Sequence, residues 1–243
     1  MNKFDYNKLF IYFAEDVMHL KKLFAISLLT LFMVSCSDIL NVFNDEDPNE
    51  LGGNTDLELT KVGNEYGVYI KLNDKPLNLK TEAKIVENDN GIITIRIKIN
   101  LDNLNPMYKA VIPEEYLDAN GNVDTKIKYK VTSEGIQDFY HSKQDVSKPF
   151  TIVKYANDVG TKYTFKREDG RVVTREITAK STEDDFPLGY MLIKTITVVE
   201  VHEGQTVTKV IYYTNHKFGL VHVKLYFKDG FEASIDLIPW AVM

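Results

Sequence analysis

The 243-residue chain is 44% hydrophobic and 12% aromatic, a composition that builds a packed core and excludes a disordered polypeptide. Four of its 29 basic and three of its 35 acidic residues fall within residues 1–36, which leaves 25 against 32 beyond them, a net charge of −7. An acidic body with no basic face interleaved with aromatics excludes an electrostatic grip on nucleic acid.

In chain order, an export signal comes first. Lys21-Lys22 precede the 13-residue run Leu23–Ser35, and Cys36 follows. A positive segment, an apolar stretch too short to cross a bilayer as a helix, and a small residue before the cysteine together form a signal peptide. Met33-Val34-Ser35-Cys36 resembles the bacterial lipobox, with Met where Leu is more usual. The resemblance implies cleavage before Cys36 and acyl chains on that cysteine. The chain has one Cys, so no internal disulfide can form, and lipidation would consume the thiol. Met18 lies just ahead of Leu20-Lys21-Lys22, so translation is expected to start there, with 1–36 as the removed leader.

Residues 37–56 are acidic and rich in turn formers, with Asn44-Asp45-Glu46-Asp47-Pro48-Asn49-Glu50 and Gly52-Gly53. They read as a flexible tether. The stretch is similar to the acidic segments after the cysteine of Bacteroidetes-type lipoproteins. A surface-export mark and a plain solvated spacer both fit it.

From Leu57 onward the hydrophobic period is two. Ile93, Ile95, Ile97 and Ile99 share one face of Gly91–Asn100, and Ile127, Tyr129 and Val131 alternate with Lys126, Lys128 and Lys130. Tyr66–Leu72 and Leu77–Glu87 are predicted strands around an Asn73-Asp74-Lys75-Pro76 turn. These belong to an N-terminal β region, 57–147. The C-terminal region, 148–243, is predicted as an antiparallel meander with strands Phe150–Tyr155, Thr161–Arg167, Arg171–Lys180, Tyr190–His202, Thr206–Thr214, Phe218–Lys228 and Phe231–Leu237. Glu168-Asp169-Gly170, Glu203-Gly204 and Asp229-Gly230 supply the hairpin turns. Short helices are expected only at Pro113–Leu117 and Ser133–His141. The fold class is all-β, an antiparallel half-barrel or sandwich.

In Phe218–Lys228 the residues Gly219, Val221, Val223, Leu225 and Phe227 read as the core face. The opposite face, with Phe218, Leu220, His222 and Tyr226, is only partly polar, so a second cover is expected, from the N-terminal strands or from a ligand.

Chemical signatures are sparse. Serine-hydrolase, zinc-protease, phosphate-loop and dinucleotide motifs are missing from the sequence. His141, His202, His216 and His222 are spaced so that convergence on a metal is not expected. Asp118-x-Asn120-x-Asn122-x-Asp124 places oxygens at alternate positions, but Gly121 stands where a calcium loop does not want it, so it reads as a polar turn. Glu183-Asp184-Asp185 reads as a solvated loop. No catalytic residue, metal or cofactor is assigned, and the chain is not expected to be an enzyme. Cys36 alone receives a chemical role.

Val159-Gly160-Thr161-Lys162-Tyr163-Thr164-Phe165, with Tyr213 and Phe218-Gly219-Leu220-Val221 downstream, is similar to a recurring pattern of envelope lipoproteins. Those proteins resemble antiparallel half-barrels related to lipoprotein-carrier domains, over residues 150–238 here. The resemblance implies an outer-membrane lipoprotein and no catalytic residues. Two binding expectations follow: a carrier-like module for an apolar or glycan ligand, with a pocket formed by Tyr190, Tyr212 or Tyr226, and a docking protein for an envelope partner.

Overall fold

The computed structural model describes residues 49–102, 104, 117–202 and 207–242. The expected leader with Met18 and Cys36, and residues 37–48 of the expected tether, lie outside them. Among the described residues there are fifteen strands: β1 Glu65–Leu72, β2 Lys75–Leu77, β3 Lys80–Asp89, β4 Ile92–Asn100, β5 Val123–Thr132, β6 Gly135–Asp138, β7 Phe150–Lys154, β8 Lys162–Lys166, β9 Val172–Lys180, β10 Phe186–Leu188, β11 Met191–Ile193, β12 Ile196–Val201, β13 Val207–Asn215, β14 Gly219–Phe227 and β15 Glu232–Pro239. The fold class is all-β and antiparallel.

One large sheet runs β7-β6-β5-β4-β3-β1-β15-β14-β13-β12-β9-β8, with β2 paired beside β1. The N-terminal and C-terminal regions share this sheet, because β1 pairs β15 from Tyr66↔Pro239 to Leu72↔Ala233 and β6 pairs β7. They also share one core, drawn from Ile85, Ile93 and Val131 on one side and Ile177, Val198 and Leu225 on the other.

Turn chemistry sets several boundaries. Asn73 and Asp74 both take positive φ, 48° and 61°, in the two-residue loop between Leu72 and Lys75. Such a loop matches the right-handed twist of the strands it joins. The turn is therefore two residues rather than the four predicted, and Lys75-Pro76 enters β2.

Other expectations need correction. Ser133–His141 was a helix candidate, yet Gly135–Asp138 is a fully buried strand. A Cβ on Gly135 would lie 2.1 Å from Val153 O, so only glycine lets β6 approach β7 this closely. The candidate helix Pro113–Leu117 falls outside the described residues except for Leu117, which bridges to Val123. Tyr190–His202 is not one strand. It breaks at Lys194-Thr195, and β11 turns back on β10 as a separate hairpin. Leu51 and Asn54, expected within the flexible tether, are held on the barrel: Leu51 is buried, Lys130 Nζ donates to Leu51 O at 2.9 Å, and Asn54 N–H donates to Ser133 Oγ at 2.9 Å.

The sheet curls until its two edges nearly meet, and side chains span the seam between β7 and β8. Lys154 N–H donates to Tyr163 Oη at 3.0 Å. Asn49 bridges the two edges, accepting from Thr151 N–H at 3.0 Å through Oδ1 and donating to Thr164 O at 3.0 Å through Nδ2. These contacts join the two edge strands without a ladder between them.

The second cover over β14 is the β10–β11 hairpin, not the N-terminal strands. Leu188 and Ile193 pack on Phe218, Val221 and Ile238 in a satellite core. A register shift between Tyr213 and Thr214 opposes Val221, so Leu220, Val223 and Phe227 join the main core while Val221 turns outward to the hairpin. That bulge breaks the strict alternation on which the predicted core face rested.

Candidate functional site

Two interior features stand out: a buried ionic cluster and an apolar hollow. The cluster is built on strand alternation. Val173, Arg175 and Ile177 occupy successive inward positions of β9, as do Val198 and Glu200 on β12, and Val210 and Tyr212 on β13. Charged side chains are thereby placed where the pattern otherwise puts aliphatics.

Arg175 stands opposite Glu200 in the β9–β12 ladder. Its Nε donates to Glu200 Oε2 at 2.6 Å, and its Nη2 donates to Asp138 Oδ2 at 2.7 Å and Tyr212 Oη at 3.2 Å. Nη1 donates to Phe150 O at 3.2 Å. The guanidinium lies 4.0 Å from the Phe150 ring centre and 4.9 Å from that of Tyr212. His141 Nε2 is 3.0 Å from Glu200 Oε1, and His202 Nε2 is 2.8 Å from the same oxygen. Arg175 and Glu200 are wholly withdrawn from solvent.

Burial alone would raise the Glu200 carboxyl, but Arg175 and His141 outweigh it and hold the group well below its usual range. Burial alone would likewise lower Arg175, and Asp138, Tyr212 and Glu200 reverse that and raise it. Burial raises Tyr212. One cation between two carboxylates, each with hydrogen bonds, is the condition under which charges survive inside a protein. The cluster links β6, β7, β9, β12 and β13, and so fastens the curled sheet from within.

His141 and His202 do come together here, against expectation. They lie far apart in sequence, and only the curl of the sheet brings the end of β6 beside the end of β12. They meet on one carboxylate oxygen, and no cluster of three metal-ligating side chains occurs among the described residues. His222 sits elsewhere, with Nδ1 2.6 Å from Asp236 Oδ1 and its ring against Tyr213 and Phe186. The readable signal for the cluster was Arg175 and Glu200 on inward positions of otherwise apolar rows.

The hollow lies inside the barrel beneath β3, β4 and β5. It measures about 50 Å³ and is lined by Ile93, Ile95, Ile97, Ile127, Tyr66 and Tyr129 among others. Burial raises both tyrosine hydroxyls. The predicted isoleucine face thus forms a wall of the cavity. Tyr190, Tyr212 and Tyr226 do not share a pocket: Tyr190 is fully exposed at the hairpin tip, Tyr212 is in the ionic cluster, and Tyr226 lies under the ammonium groups of Lys209 and Lys224.

The other candidates resolve as structure. Asp118 Oδ1 accepts from the N–H groups of Asn120 and Asn122, and Asp124 pairs with Arg96. Glu183-Asp184-Asp185 is an exposed loop in which Ser181 Oγ donates to Asp185 Oδ1.

No family model matches the chain, and no curated protein matches it. Two solved structures are similar to it. One is a Bacteroides fragilis protein described as exported and as having a YmcC-like fold, at 7% identity over 73% of this chain and 95% of that one, with a TM-score of 0.43. The other is a Parabacteroides distasonis protein described as a lipoprotein, at 10% identity over 73% and 94%, with a TM-score of 0.38. At these scores the fold assignment rests on the strand ladders themselves.

Proposed function

We propose that the chain is a lipid-anchored cell-envelope protein, held at the outer membrane through Cys36, whose barrel is a non-catalytic, carrier-like module for an apolar ligand group. The observation that carries this reading is the apolar hollow walled by Ile93, Ile95, Ile97 and Ile127. Concave apolar sites with a few polar groups are where small ligands bind. At about 50 Å³ the hollow takes a terminal methyl group or the end of a chain rather than a whole lipid. The ionic cluster does not argue for catalysis, because Glu200 and Arg175 are wholly buried and His141 and His202 nearly so.

Mass spectrometry of what co-purifies with the lipidated protein tests the ligand. An apolar compound retained by the parent and lost from Ile95→Lys, which puts a charge in the wall, is expected. Identical extracts from both would overturn the reading. The anchor is tested separately: palmitate label is expected on the parent and lost from Cys36→Ala.

One observation favours docking on an envelope protein as the second reading. The β10–β11 tip presents Tyr190, at 101% relative exposure, and Leu192, at 58%. Loss of a cross-linked partner in Tyr190→Ala, with the apolar extract unchanged, would support this reading over the first.

A further inference from the structure

The outer face carries a groove that the hollow does not explain. β1 pairs β3 only through Glu65↔Lys84 and Tyr66↔Ala83, and β2 begins pairing at Ile70, so Gly67, Val68 and Tyr69 face β3 without a ladder. Thr81 Oγ1 spans the gap, donating to Val68 O at 2.8 Å. The opening measures about 450 Å³, within the rough range of 300–1,000 Å³ for small-molecule sites.

Two aromatic rings line it side by side. Tyr69 is 50% exposed and Trp240 is 47% exposed. A Cβ on Gly67 would meet both, 2.7 Å from Trp240 Cζ2 and 3.2 Å from Tyr69 Cε2. Gly67 is not among the residues with positive φ, so backbone conformation does not demand glycine there. Glycine inside a strand costs stability and marks a close approach. At Gly67 the approach is that of the indole, which lies on β1 beside the Tyr69 ring. Pro239, just before Trp240, is held in the ladder opposite Tyr66. The rings thus rest on paired backbone, not on a loose tail.

The rim is polar. Asn78, Lys80 and Glu82 are exposed along it, and Glu65 is present with Lys84 3.2 Å away. An apolar chain would leave these groups without partners. An anion would face two carboxylates. A sugar ring offers apolar C–H faces to an aromatic platform and hydroxyls to amide, ammonium and carboxylate groups, and so matches both parts. We infer that this groove is a saccharide-binding site, with Trp240 and Tyr69 as the stacking platform and Asn78, Lys80 and Glu82 as hydroxyl partners. It is separate from the hollow and does not depend on the reading given for it.

Trp240 is the sole tryptophan of the chain, so its emission reports directly on the groove. The test titrates the full chain, solubilised in a sugar-free detergent, with neutral oligosaccharides of glucose, N-acetylglucosamine, xylose, mannose and galactose. A saturable blue shift with at least one of them is expected. Tyr69→Ala should weaken that binding about tenfold, the effect of losing one good contact. Gly67→Val should displace the indole and abolish the shift, while Tyr190→Ala on the hairpin should leave it unchanged. Thermal melts of each variant separate lost binding from lost folding. No shift and no calorimetric heat with any of the five sugars would overturn the inference, as would binding that Tyr69→Ala leaves intact in a folded protein.

Discussion

Arg175 on β9 and Glu200 on β12 face each other across one rung of the sheet, joined by a 2.6 Å hydrogen bond from Nε to Oε2 and wholly shielded from water. The same guanidinium reaches Asp138 on β6 and Phe150 O on β7, near the opposite edge of the curled sheet. The contact therefore ties the first half of the sheet to the second.

Removing one partner should cost far more than the pair contributes. Arg175→Met leaves Glu200 and Asp138 buried without their cation, and a loss of about 3–5 kcal/mol is expected in urea unfolding. Arg175→Met combined with Glu200→Gln and Asp138→Asn should recover part of it, because the orphaned charges are then gone. A triple variant no more stable than the single one would show that the arginine's packing, rather than charge balance, sets the cost.

Acid should unfasten the cluster. Glu200 is held well below its ordinary value of 4.5, so its contribution is fully present above that pH and is lost as pH falls toward the folded value. The urea midpoint should decline on acidification below about 4.5 and decline less steeply in Glu200→Gln. Some slope should persist, since Asp236 is also lowered, burial opposing and His222 and Lys71 prevailing. Equal slopes in the two proteins would count against Glu200 as the group responsible.

Gly135→Ala tests the closeness of β6 to β7. The added methyl would lie 2.1 Å from Val153 O, a backbone atom that cannot step aside without opening the ladder. A destabilisation of about 1–3 kcal/mol or more is expected. Hydrogen exchange should quicken first at β6 and β7, and uniform quickening across the sheet would disagree with a local cause.

Asn49→Ala tests the seam. It removes the acceptor of Thr151 N–H and the donor to Thr164 O, one on each edge strand. A cost of about 1–2 kcal/mol is expected, from two hydrogen bonds at partly exposed positions. Faster exchange at Thr151 is the local signature, and unchanged protection there would place the edge under other control.

The all-β class, most strand positions and the isoleucine face of β4 were legible in the sequence because each depends on local alternation and local turn residues. The expected leader and the role expected of Cys36 rest on contiguous signals too, and both lie outside the described residues. The β14 face was misread because one bulge shifts parity, and β6 was misread because its burial comes from β7 and not from its own four residues. The meeting of Arg175, Glu200, Asp138, His141 and His202 was hidden, although two charges on inward positions marked it. Arg175 lies 25 residues from Glu200 and 37 from Asp138 along the chain, and His141 lies 59 from Glu200. The seating of Trp240 on Gly67 was hidden too, since it needs β15 laid beside β1. Periodicity determines which way a side chain points; only closure of the sheet decides what it points at.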